Sequence, residues 1–99
     1  MYPAPKVRHY KLVLDDTTPS LVITENTDEV HFGVSLRVQN IDDTAIVYVG
    51  NADTLTSTEF GIKLAPGAIA SFDNLPKYPN IGVLSNTSDS EVAVMRISK

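Results

Sequence analysis

The chain has 99 residues, no cysteine and a formal net charge of −4. One domain of this size can bury a core without staples, and the missing cysteines exclude disulfides, thiolate metal sites and cysteine nucleophiles. The acidic balance argues against binding a nucleic-acid backbone, and no run reaches the roughly eighteen apolar residues of a membrane span.

The N-terminal stretch MYPAPKVRHYKL lacks the apolar core of a secretory signal, so synthesis in a cytoplasm without export is expected. Pro3 and Pro5 block a helix and bias Tyr2 and Ala4 towards extended geometry. Proline also lacks a ladder donor, which keeps residues 1–5 out of a sheet interior. The reading is an extended arm over 1–5, followed by one domain over 6–99. Tyr2, Pro3, Pro5, Lys6 and Arg8 are the candidate partner-binding residues: an aromatic anchor with basic groups at its root. Residues 1–14 contain Lys6, Arg8, His9 and Lys11 and no acid, whereas Asp15, Asp16, Glu25, Glu29, Asp42, Asp43, Asp53 and Glu59 follow. A basic leading segment on an acidic body can steer contact with an acidic neighbour or a second copy.

From there the apolar period is two nearly everywhere. In VHFGVSLRV, Val30, Phe32, Val34, Leu36 and Val38 share one face, and His31, Gly33, Ser35, Arg37 and Gln39 the other. EVAVMRI places Val92 and Val94 on one face and Ala93, Met95 and Ile97 on the opposite one. Apolar residues on both sides predict a central strand, or one covered by another chain. KVRHYKLVL, SLVIT, AIVYVG, FGIKL, AIASF and IGVLS complete a set of about eight short strands. Polar or Pro/Gly breakers separate them, and Ala65-Pro66-Gly67-Ala68 predicts a hairpin turn. The fold class is all-β: a single antiparallel β-sandwich or jelly-roll-like barrel.

Chemistry is sparse. His9 and His31 show no HxH or HExxH spacing, and exposed strand positions explain both. Asp15-Asp16, Asp42-Asp43 and Asp53 offer oxygen ligands, but no EF-hand loop is present and aspartate is a routine turn former. The loop GNADTLTST carries no phosphate-binding lysine motif, and no serine stands in GxSxG. The expectation is no enzyme, no catalytic residue, no cofactor and no metal. A carbohydrate-binding module is the alternative with weight, since Tyr2, Tyr10, Tyr48 and Tyr78 could stack on sugars. Their scatter and the lack of tryptophan argue against it.

The stretch VYVGNADTLTSTEFGIKLAPGAIASFD resembles a pattern in small β-structured proteins of tailed-bacteriophage virions. There, an apolar strand ends in Gly-Asn or Gly-Gly, as VYVGN at 47–51 does, and a polar loop follows. A Gly-Ile-x-Leu strand (61–64), a Pro-Gly turn (65–68) and a closing pair, NIGVLSNTSDSEVAVMRI, come next. Phe60 and the Pro-rich FDNLPKYPN depart from the pattern. The resemblance implies a capsid decoration (cement) protein on the outer surface of a virion. Its implied partners are the major capsid protein and copies of itself in a homotrimer, with no nucleic acid or membrane and a host-surface glycan as a lesser possibility. A tail or head–tail component is the alternative within the virion. The Thr/Ser loop then reads as a strand-to-strand crossover whose hydroxyls satisfy their own backbone, with Gly50 and Gly61 as bends.

Overall fold

The computed structural model describes residues 6–22, 34–75 and 80–98. Within them lie β1 (Lys6–Leu14), β2 (Ser20–Leu21), β3 (Val34–Asn40), β4 (Val47–Asn51), β5 (Ile62–Leu64), β6 (Ile69–Leu75), β7 (Ile81–Ser85) and β8 (Ser90–Ser98). The arm residues Tyr2, Pro3 and Pro5 lie outside the described residues, as do Val30, Phe32, His31, Tyr78 and the acids Glu25 and Glu29.

The pairing follows one rule. β1 pairs with β8, β2 with β7, β3 with β6 and β4 with β5, all antiparallel. This is a long double ribbon with the β4–β5 connection at its tip. Rolling that ribbon up adds two further pairings, β3 with β8 and β4 with β7. The result is two four-stranded sheets, ordered β1-β8-β3-β6 and β2-β7-β4-β5, hereafter sheet A and sheet B. An all-β, eight-stranded double sheet of this connectivity is a jelly roll. β8 is a central strand, as its two apolar faces predict.

Alternation places the core between the sheets. Leu14, Leu36, Val38, Ala70, Val92 and Val94 of sheet A meet Val47, Val49, Leu64 and Val83 of sheet B, all buried. Each comes from the period-two positions of its strand, so hydrophobic burial selects the register. The Tyr10 hydroxyl donates to the Val22 carbonyl, which ties β1 to the chain just after β2.

Two connections differ from expectation. Residues 65–68 do form the predicted turn: Gly67 has φ 82° and the Ala68 amide bonds the Ala65 carbonyl at 2.9 Å, a type II geometry. It is not a hairpin, however, because β5 belongs to sheet B and β6 to sheet A. The physical reason lies in its partners. The Gly67 amide bonds the Asn40 carbonyl at 2.8 Å, and the Asn40 amide bonds Ala68 O at 3.0 Å, so β3 captures the outgoing chain. Conversely, the Thr/Ser loop is not a crossover between sheets but the hairpin connection of neighbouring β4 and β5.

Candidate docking face

The site is built from the outer face of sheet A. Alternation turns Val7, His9, Lys11 and Val13 of β1 away from the core, with Ala93, Met95 and Ile97 of β8 beside them. The ladders place His9 opposite Met95, and Met95 opposite Arg37, which in turn faces Ser71. One row on, Lys11 faces Ala93, which is followed by Gln39 and then Ile69. Val7 and Val13 are 57% and 61% exposed, Ile69 56% and Met95 37%. A groove of about 340 Å³ runs across these rows, lined by His9, Lys11, Arg37, Gln39, Ile69 and Met95 among others. The face therefore combines exposed apolar side chains with the cations of Lys11 and Arg37 in the groove and with the acids Glu91 and Asp73 outside its lining.

Arg37 is half-buried in this groove, and its Nη1 is shielded from solvent without a hydrogen-bond partner among the described residues. A buried donor left unpaired costs about 1–3 kcal/mol, and more when charged. The acids Asp73 on β6 and Glu91 on β8 give that nitrogen no acceptor among the described residues.

The outer face of sheet B is different because the 51–61 loop folds over it. Leu55 is buried, and its Cδ1 lies 3.3 Å from where a Cβ on Gly50 would stand. A Cβ on Gly82 would lie 2.8 Å from the Ala52 Cα, so the loop backbone rests on that glycine. Phe60 packs on Tyr48, ring centroids 4.9 Å apart. The Ala52 amide bonds Asn80 O at 3.2 Å, and Asn80 Nδ2 donates to Asp53 Oδ2 at 2.9 Å. Gly50 thus serves close approach rather than a bend. The expected hydroxyl role holds at Thr56, whose Oγ1 accepts the amides of Thr58 and Glu59 at 3.3 and 2.9 Å. A polar cleft of about 400 Å³ beside this loop is lined by Asn51, Thr54, Thr58 and Glu59.

Acids gather in loops at one end of the sandwich, where turns 15–19, 41–46 and 86–89 meet. The Ser85 amide bonds Asp15 O at 3.1 Å, Asn86 N bonds Ile46 O at 3.0 Å, and Asp89 N bonds Leu14 O at 2.9 Å. Asp42 accepts the Ala45 and Thr44 amides at 2.8 and 3.0 Å, and these bonds hold its carboxyl below the usual aspartate value. Asp15 is lowered in the same way, first by the Thr17 amide and then by that of Asp16. These aspartates are turn formers. No cluster of metal-ligating side chains occurs among the described residues.

Of the sequence candidates, Lys6 and Arg8 belong to β1, paired opposite Ser98 and Arg96. Arg8 shares the face of Tyr10, Leu12 and Leu14 and stands apart from Lys11. His9 is an exposed strand residue. Tyr10 points inward and Tyr48 lies on sheet B, so the two do not share a platform. Sequence reasoning missed Arg37 as a site residue and Asn40 as a structural one. The signal for Arg37 was its place among the outward positions of VHFGVSLRV.

No protein-family model and no curated protein matches the chain. Among solved structures it is similar to a chain from Bacillus endospore appendages, described as a novel family of disulfide-linked pili. The two share 17% identity with a TM-score of 0.55, over 96% of this chain and 87% of that one. The likeness shows a shared fold.

Proposed function

We propose that this chain is a non-enzymatic structural subunit that decorates a virion shell, with the outer face of sheet A against the shell. The observation that carries the reading is the contrast between the two outer faces. Sheet B is partly covered by its own loop, which leaves Leu21 and Phe60 exposed there. Sheet A has no such cover among the described residues and presents Val7, Val13, Ile69 and Met95 to solvent around the groove of Lys11 and Arg37. Exposed apolar side chains grouped with charges mark interaction surfaces. The virion resemblance supplies the partner, the major capsid protein. The homotrimer is part of the same proposal.

The test is cosedimentation of the purified protein with empty shells, followed by cryo-electron microscopy of particles with and without it. Density over the shell with sheet A inward is the expected result. Failure to bind, or attachment through sheet B, would overturn it.

A second reading, a subunit of a protein filament, draws support from the shared fold with the endospore appendage chain. Without cysteine, any such filament would be held together without disulfides. Concentration-dependent fibres in negative-stain micrographs of the purified chain would favour it over decoration.

A further inference from the structure

We infer that the groove on sheet A is a carboxylate-reading subsite, which takes an acidic side chain flanked by apolar ones on an extended segment of a partner protein. The inference deepens the docking reading, from which it takes only the identity of that partner as the shell protein.

Arg37 sits at the middle of the face, between Met95 and Ser71 in its row. Among the described residues, Arg37 and Lys11 line the groove and no acid does, so its positive charge has no counterpart within the lining. A carboxylate in the groove would meet the part of the Arg37 side chain that is open there and form a charge-assisted bond, stronger than a neutral one. Lys11, on the far side of β8, adds a second positive charge one row away, and Gln39 a neutral donor. Ile69 and Met95 flank the cations and give apolar neighbours of the acid a dry seat.

Alternative occupants fit less well. Stacking the same face of a second copy about a twofold axis through its middle would bring Arg37 against its own equivalent, a like-charge contact that is costly when desolvated. Nucleic acid is disfavoured by the net charge of −4 and by the apolar flanks. The partner is therefore a protein segment that supplies both an acid and apolar side chains.

The experiment titrates the isotope-labelled full chain at low salt with acetyl-Val-Glu-Val-amide and, separately, with acetyl-Val-Gln-Val-amide, followed by nuclear magnetic resonance. The glutamate peptide is expected to shift Arg37 side-chain, Met95 and Ile69 signals and to bind about tenfold more tightly than its amide counterpart. Arg37→Gln should abolish that preference, and Arg37→Lys should keep part of it. Ile69→Asp, at an exposed position that carries no fold risk comparable to Arg37, should weaken the glutamate peptide more than the glutamine one. Equal affinities for the two peptides overturn the inference, as do shifts confined to the 51–61 loop or no shift at about 10 mM peptide. Sedimentation in which the wild type dimerises and Arg37→Gln does not would make a second copy the occupant, and overturn it too. Shell cosedimentation runs in parallel. If the wild type fails to bind shells while the peptide preference holds, the docking reading falls and the subsite stands. If shells bind but the peptides are not distinguished, the subsite falls alone.

Discussion

Asn40 at the end of β3 donates from Nδ2 to the Leu64 carbonyl at the end of β5, 3.0 Å away, and so links sheet A to sheet B. The same amide nitrogen donates to Ala45 O at 2.8 Å, while Oδ1 accepts the Asp42 amide at 3.0 Å. The side chain is fully buried, yet each of these polar atoms has a partner. It replaces backbone pairing where three chain segments leave their strands together.

Asn40→Ala should therefore cost about 2–4 kcal/mol, because it strands two carbonyls and an amide in the interior. Asn40→Asp should be worse at neutral pH, since it swaps a donor for a charged acceptor facing the Ala45 and Leu64 carbonyls. Urea unfolding of the three proteins checks the order. A destabilisation below that of an ordinary surface change would remove Asn40 from this role.

Gly82 supports a second prediction. A Cβ there would stand 2.8 Å from the Ala52 Cα and 2.9 Å from its Cβ, closer than packed carbons approach. Gly82→Ala must push the 51–61 loop off sheet B, at a cost of about 1–3 kcal/mol. Ala52→Gly in the same chain should recover only part of it, because the new methyl still meets the loop backbone at residue 52. Thermal unfolding of the single and double variants reads the difference.

The acid-side stability is the third. Asp42 and Asp15 have folded-state values lowered from 3.8 by backbone amides. Each contribution is fully present above that unfolded value and is lost as pH falls through the lower folded value. The stability of the wild type should thus decline as pH drops through and below about 4. Asp42→Asn should flatten the decline, since an amide oxygen accepts the same bonds without titrating. Urea midpoints across an acid pH series give the slopes. Parallel slopes would show that Asp42 makes no contribution to the decline.

Which residues lie in the core was legible because a strand exposes its period directly. Leu36 and Val38, and Val92 and Val94, share faces by spacing alone, and all four are buried. The routing was not legible. The turn at Pro66-Gly67 is dictated by φ preferences of adjacent residues, but the sheet that receives the next strand is chosen by Asn40, distant in sequence. The docking face was half visible. Met95 and Ile97 announced a second apolar side of β8, whereas the company of His9, Lys11 and Arg37 exists only once β1 and β3 flank that strand. Nothing local to Arg37 signals an unpaired nitrogen, because pairing depends on which acids the fold brings near.

The last prediction concerns what the Thr/Ser loop is for. Leu55 is buried outside the main core, against Gly50, and Leu84 on the same outer face of sheet B is buried as well. The loop is a lid for sheet B, seated by Leu55 together with Ala52 on Gly82 and Phe60 on Tyr48, with the Leu55 amide bonded to Asn51 O at 2.9 Å and Gly61 N to Val49 O at 2.9 Å. Leu55→Ala removes one of these seats and should cost about 2–4 kcal/mol, near the range for a buried leucine. The loss should be local before it is global: amides of Thr58 and Glu59, held by the Thr56 hydroxyl, should exchange faster while those of Val38 and Val94 keep their protection. Loosening the loop over Gly50 should also raise binding of a hydrophobic dye such as ANS to the folded protein. Thr56→Ala is the control, since it releases the two amides but leaves Leu55 seated, and should give faster exchange without added dye binding. If Leu55→Ala leaves both exchange and dye binding unchanged, the loop does not close sheet B, and the contrast that selects sheet A as the docking face is lost with it.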